Sequence, residues 1–362
     1  MKRMDTLTKY LTKEFIKLQL LCQVIFIFLF LMIDFVQKLD DFLGKKVTDV
    51  GVIISYFLYK IPYIMVQMIP VATLISVIVL FRLMKNNREI TALKACGINI
   101  IKVSHTVIII SLFISLFTFL LSESVVPYTS SKSNGIWDTE IEKQDPTKFY
   151  GSDQIWYKTS DAIYWIKQFD SVRNIMENPV FHFFDDNFKL IKRIEAERAT
   201  WQGVAWVLEN STVQEMQEDG GYRTSIFKIL TLDIPETPDE FRKKIKQPEE
   251  MSYSQLKTYS ETVKSEGYNN SGYLVDMGVK IAFPFISLVL TILGIPIALE
   301  LKTGGLPLAI AAGIGLSFLY YVILSISSSL GHSGVFPPFL AAWTANLLFI
   351  FAGSYLMMTV EQ

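Results

Sequence analysis

The spacing of long apolar runs constrains this chain more than any other feature. Hydrophobic residues make up 51% of its 362 positions, and they are not spread as a soluble core would spread them. They gather in runs of about 19 residues or more, the length a helix needs to cross a hydrocarbon core. The runs are Leu18–Val36, Val50–Leu83 and Val103–Leu121, then Val275–Leu299, Leu306–Leu330 and Pro337–Met358. A polar segment from Ser122 to Tyr273 separates the first three from the last three. The pattern predicts a polytopic membrane protein of six spans, three before a large polar insert and three after it. A net charge of −1 excludes a nucleic-acid-binding class, which needs a basic excess. The first apolar run is too long for a cleavable signal, and no small-x-small site follows it. Cys22 lies in an apolar run and Cys96 in a basic loop, an arrangement that argues against a structural disulfide.

Residues 4–17, MDTLTKYLTKEFIK, place Leu7, Tyr10, Leu11 and Phe15 on one face, with Lys9, Lys13 and Lys17 off it. That is the pattern of an interfacial lead-in helix. The second run contains Lys60, Pro62 and Pro70 and is too long for one straight span. Proline predicts a helical lead-in, a break near Pro62 and a kink near Pro70. Basic residues set orientation. Lys2, Arg3, Lys9, Lys13 and Lys17 precede the first span, and Arg82, Lys85, Arg88, Lys94 and Lys102 fill the loop between the second and third. The opposite side balances Lys38, Lys45 and Lys46 against Asp40, Asp41 and Asp49. Both termini and the 81–102 loop are therefore expected in the cytoplasm, and the polar insert on the far side.

The insert reads as β-rich. IWYKT (155–159) and AIYWIKQF (162–169) are separated by Ser160-Asp161, and FHFF (181–184) and FKLIKRIEAERAT (188–200) by Asp185-Asp186-Asn187. WVLENSTVQEM and YRTSIFKILTLDI flank Glu218-Asp219-Gly220-Gly221. Apolar runs broken at this spacing by turn residues predict an antiparallel sandwich or jelly roll. Met251–Glu266 reads as a short helix leading back to the membrane. The expected fold class is thus an α-helical polytopic membrane protein with an inserted all-β, jelly-roll-like domain.

The loop FRLMKNNREITALKACGINIIK at 81–102 contains a short helical pattern. Glu89, Ala92, Leu93 and Cys96 share a face, Asn86 or Asn87 is placed to cap it, and Gly97 to stop it. Two readings fit: a helix that docks into a partner's groove, or an interfacial turn whose basic residues fix topology. Residues suited to catalysis form no constellation. No Walker A pattern occurs, the histidines His105, His182 and His332 are scattered, and no serine sits in a nucleophile motif. No metal, cofactor or catalytic residue is assigned. Polar residues inside spans are costly and therefore informative. In the first span Gln19, Gln23, Ile27, Phe30 and Asp34 line one face; in the fifth, Gly313, Ser317, Tyr321, Ser325 and Ser329 repeat at i+4. Each stripe faces either a cavity or a packed neighbour helix. Asp276 and Lys280, four apart in the fourth span, are placed to pair.

Several segments resemble the LptF/LptG permeases, the membrane subunits of the lipopolysaccharide-export ABC transporter of Gram-negative bacteria. They are FVQKLDDF (35–42), IPVATLISVIVLFRLMKNNREITALKACGI (69–98), SESVVP (122–127), IWYKTSDAIYWI (155–166), YLVDMGVKIAFPFIS (273–287) and GIGLSFLYYVILSISSSLGHSGVFPPFLAAW (313–343). The resemblance covers the whole chain, and around FVQKL and IWYKT it is closer to LptG than to LptF. It implies three parts: residues 1–121 with the first three spans and a coupling helix at 88–97, a periplasmic β-domain at 122–274, and the last three spans at 275–362. It implies a non-enzymatic permease of the bacterial inner membrane. The partners would be two copies of the ATPase LptB, the paralogous permease LptF, LptC and lipopolysaccharide. Arg88, Glu89, Ala92, Leu93, Cys96 and Gly97 would form the ATPase contact, with Glu89 paired to a basic residue of LptB. The first and fifth spans would form lateral gates around lipid, through Gln23, Phe26, Ile27, Phe30 and Asp34 and through Ser317, Phe318, Tyr321, Leu324 and Ser325. One departure stands out. Some enterobacterial members carry lysines at the end of the first span, near the lipid's phosphates, where this chain has Asp34, Asp40 and Asp41. Either phosphate contact passes to Lys38, Lys45 and Lys46, or the headgroup differs in charge.

Two rival classes also fit six spans and a polar insert. One is a receptor or scaffold with the β-domain as sensor. The other is a proton-coupled carrier, which the lack of a mid-membrane acid network and of an inverted repeat disfavours.

Overall fold

The computed structural model describes residues 6–44, 49–141, 153–159, 162–170, 173–185, 188–217, 221–238, 247–265, 269–300 and 305–359. They fall into two compact units. One comprises Met1–Ile136, Gln247–Glu261 and Asn269–Gln362, the other Trp137–Lys246 and Thr262–Tyr268. The division falls inside the 122–274 segment.

The first unit is helical. Its elements are α1 (Thr6–Gln37), α2 (Leu39–Gly44), α3 (Val50–Asn86), α4 (Glu89–Ala95), α5 (Ile100–Ser124), α6 (Val126–Ile136), most of α7 (Tyr253–Ser265), α8 (Ser271–Ala282), α9 (Ile286–Glu300), α10 (Gly305–His332) and α11 (Pro338–Thr359). Among the described residues, six helical segments are long and apolar enough to cross a membrane: α1, α3, α5, α8 with α9, α10 and α11. The fourth is continuous apart from a 3-10 turn at Phe283–Phe285, where Pro284 removes a backbone donor.

Helix α3 is the hub, packing against α1, α5, α6, α9 and α10. Leu74, Val77, Ile78 and Phe81 from α3 share one buried cluster with Leu290 and Leu293 of α9 and Tyr320 of α10. The lack of a side chain matters at Gly313, where a Cβ would lie 2.6 Å from Ile75 Cδ1 and the isoleucine end would have to shift to admit it. The expected break near Pro62 is not present, because α3 runs unbroken through both Pro62 and Pro70. Each proline deletes one i→i−4 hydrogen bond, and the dense packing around α3 holds the remaining ladder.

Polar contacts show that successive spans alternate in direction. At one end, Tyr10 bonds Glu89 and Lys85 Nζ donates to the Leu299 carbonyl. At the other, Asp34 meets Lys60, His332 meets Asp276, and the Glu123 carboxylate accepts from the Tyr253 backbone N–H at 2.8 and 2.9 Å. Glu123 thereby satisfies an open donor at the start of α7.

The second unit is an all-β sheet: β1 (Asp153–Lys158), β2 (Ala162–Asp170), β3 (Ile175–Phe184), β4 (Leu190–Glu195), β5 (Arg198–Trp201), β6 (Trp206–Met216) and β7 (Tyr222–Leu232). All pairings are antiparallel. The expected single run at 188–200 is two strands, β4 and β5, which pair with successive parts of both β3 and β6. The irregularity between them faces Asn178, whose φ of 48° is left-handed and whose N–H donates to the Glu197 carbonyl. Alternate residues of β2 turn inward, so that Tyr164 and Ile166 join Phe181, Trp206 and Leu208 in one core. The segment after β7 returns over this core, burying Ile234 and Glu236. Glu236 Oε2 accepts from Tyr164 Oη at 3.0 Å, and its carbonyl accepts from Trp206 Nε1 at 3.0 Å.

Candidate functional site

Two polar junctions, one at each end of α1, carry the residues of interest. The first is the 81–102 loop. Asn87 ends α3, and a single residue, Arg88, turns the chain into α4 with a left-handed φ of 59°. No side chain caps α4, so the expected Asn86 or Asn87 cap is replaced by this sharp backbone turn. Gly97 supplies the stop as expected, with φ +74°.

Helix α4 turns one face inward. Ile90 is buried, and Leu93, one turn on, packs against the same cluster, which also holds Leu11 and Phe15 of α1 and Ile100 of α5. Arg88, Thr91, Ala92, Lys94, Ala95, Cys96 and Gly97 are exposed. The expected docking face is therefore divided. Ala92 and Cys96 are open to a partner, whereas Leu93 is engaged inside the chain. Glu89 is half-buried, and both its oxygens are used: Oε2 accepts from Tyr10 Oη at 3.1 Å, Oε1 from Asn87 Nδ2 at 3.2 Å.

The second junction lies at the far end of α1. The buried Asp34 carboxylate meets Lys60 Nζ at 2.8 and 2.9 Å, and Lys38 Nζ at 3.3 Å. Tyr56 Oη lies 3.0 Å from Lys60 Nζ and also bonds Lys38. Two ammonium groups thus share the Asp34 carboxylate. Lys38 stands among the residues expected near phosphate. Lys45 and Lys46 lie outside the described residues.

Between these junctions the α1 stripe turns toward α3. Gln19, Gln23 and Asp34 are buried, Phe26, Ile27 and Phe30 are half-buried, and Gln23 Nε2 donates to the Met65 carbonyl at 3.0 Å. The α10 stripe also faces α3 along its first half. Gly313 and Ser317 are buried there, and Tyr321 Oη donates to the Gln67 carbonyl at 2.9 Å. Ser325 and Ser329 are exposed, because a strict i+4 repeat drifts around a helix of 3.6 residues per turn. Leu324 is buried, whereas Phe318 is 71% exposed on the outer face. The outer face of α1 is apolar as well, with Leu20, Val24, Phe28 and Ile33 exposed.

Asp276 makes its direct contact with His332 Nε2 at 3.0 Å, and Lys280, its expected partner, attracts it only at longer range. Position four along the helix gave Lys280 the right face. The turn ending α10 brings His332 closer, and its ring needs no long side chain to reach.

Sequence reasoning left Lys60, Tyr56 and Tyr10 unassigned. A signal for Lys60 existed. Asp34 and Lys60 lie at similar depths in consecutive antiparallel spans, and opposite charges so placed lower each other's burial cost. Tyr10 carried no comparable signal, since its bond to Glu89 spans 79 positions. Chemically, the helical unit offers apolar outer faces backed by polar contacts to α3, an arrangement for holding acyl chains or partner helices.

Comparison with known proteins agrees with this geometry. The chain is 22% identical over 355 residues to the lipopolysaccharide export system permease protein LptG of Haemophilus influenzae, covering 96% of each. Residues 9–359 match the family described as lipopolysaccharide export system permease LptF/LptG, and this multi-pass membrane protein belongs to that family.

Proposed function

We propose that this chain is the LptG-type subunit of an ABC transporter that extracts lipopolysaccharide from the bacterial inner membrane and passes it to a periplasmic bridge. It would pair with the paralogue LptF, sit on two copies of the ATPase LptB, and connect through its β-domain (122–274) to LptC. Hydrolysis would belong to LptB. The observation that carries this reading is α4. It is a helix set off by left-handed turns at Arg88 and Gly97, showing Ala92, Ala95 and Cys96 outward where an ATPase groove would receive it.

The lipid path would follow the outer faces of α1 and α10, in residues 1–121 and 275–362. Removing an acyl chain from apolar surroundings costs about 0.8 kcal/mol per CH₂, so a chain of about twelve carbons costs on the order of 10 kcal/mol. The permease must therefore offer a replacement apolar surface. The exposed Phe28 and Phe318, with the half-buried Phe26, Ile27, Phe30 and Tyr321 behind them, suit that surface. The lipid's phosphates would meet Lys38, together with Lys45 and Lys46.

Glu89→Arg tests the docking role. The variant complex should form in normal yield and release no lipid on ATP addition. ATP-driven release at the normal rate, with unchanged complex yield, would contradict the proposal.

A further inference from the structure

We infer that Tyr10 is a positioning residue that ties the first span to the coupling helix, so that α1 moves with α4. This inference rests on the transporter reading above and extends it to a residue outside the docking face.

Helix α1 is unbroken over 32 residues, so it is about 48 Å long and behaves as one rod. Its attachment changes along that length. At the α4 end it is held firmly, since Leu11 and Phe15 are wholly buried in the cluster that includes Ile90 and Ile100. Beyond Gln23 its burial thins, with only Asp34 fully turned inward. Between Gln23 and the Asp34–Lys60 contact the rod is lightly seated, so a shift imposed at the α4 end is carried along it to that contact.

A direct link between the rod and α4 is the 3.1 Å bond from Tyr10 Oη to Glu89 Oε2. Glu89 is the first residue of α4, next to the left-handed Arg88 turn. A force on α4 rotates it about that turn. Ile90 and Leu93 join the same apolar cluster as Leu11 and Phe15, and packing of that kind is non-directional and lets helices slide. A hydrogen bond is directional and resists such sliding. Asn87 Nδ2 holds the other Glu89 oxygen at 3.2 Å, which fixes the carboxylate toward Tyr10. The contact is partly exposed, with Tyr10 42% accessible, so it contributes little to folding and can be removed without loss of the fold.

The test is Tyr10→Phe in the complete transporter, which keeps the ring and removes only the hydroxyl. Complex yield and ATP hydrolysis should stay at wild-type levels, while lipid released per ATP falls about fivefold, the scale of one hydrogen bond. A purely structural role for Tyr10 would lower yield, or hydrolysis and release in proportion. Unchanged release per ATP, or a proportional loss of both, would overturn the inference and leave the transporter reading intact. Purification of the wild-type chain without any ATPase would overturn both.

Discussion

Over their most apolar 18-residue windows, α1 and α3 have mean hydropathies of 2.4 and 2.5, yet 17% of the first window is buried inside the chain and 78% of the second. Hydropathy says that a helix enters a membrane and not what it meets there. The difference lies in the polar residues. In α3, Thr73 and Ser76 are buried and bond their own helix, to the carbonyls of Ile69 and Ala72, so that apolar side chains on all sides meet neighbours. In α1 the polar residues reach across to α3 instead, through Gln23 to Met65 and Asp34 to Lys60. One helix is a packed axis, and the other is a rod pinned by a few polar contacts, with its apolar flank left open to lipid or to another subunit.

The largest expected effect that sharpens this contrast is Leu74→Ala in α3. Leu74 is wholly buried, so its truncation should cost about 4 kcal/mol. Leu21→Ala on the open flank of α1 should cost under about 0.5 kcal/mol. Reversible unfolding of the isolated chain in mixed detergent checks both, and equal costs would break the contrast. Next is Asp34→Asn, which leaves Lys60 and Lys38 without their shared carboxylate. Breaking a buried pair should cost about 3 kcal/mol, and Asp34→Leu with Lys60→Leu should recover most of it. The same unfolding assay reads both variants, and a double variant as weak as the single would show that Lys38 also needs Asp34. Among the polar contacts the smallest effect is Gln23→Leu. Its Nε2 bond to Met65 is lost, but Gln23 Oε1 has no partner among the described residues, and apolar replacement removes that burden. The net change should stay within about 1 kcal/mol. A larger loss would mean that the Gln23 bond seats the middle of α1 as Asp34 seats its far end.

Much of the fold was legible because membrane spans and sheet turns are local signals. The six apolar runs appear as six spans, and β2, β6 and β7 follow the expected runs within a residue or two at most ends. The stop at Gly97 was readable because a left-handed terminus favours glycine. Failures came where distant residues decide the outcome. Pro62 does not break α3, since surrounding helices hold it. Asp276 prefers His332, 56 positions away, to a neighbour on its own helix. The inward turn of Leu93 follows from the cluster under α4, which no window of the loop contains. Periodicity found the face, and packing decided which half of it stays open.

The central claim is that α4 seats this permease on an ATPase. The most direct measurement is affinity purification of the chain from its native membrane, with identification of the proteins and lipids that accompany it. The account predicts a nucleotide-binding subunit, a second six-span permease and bound lipopolysaccharide. A lone homodimer with no ATPase would contradict it, and would turn α4 and the β unit toward a receptor or scaffold role.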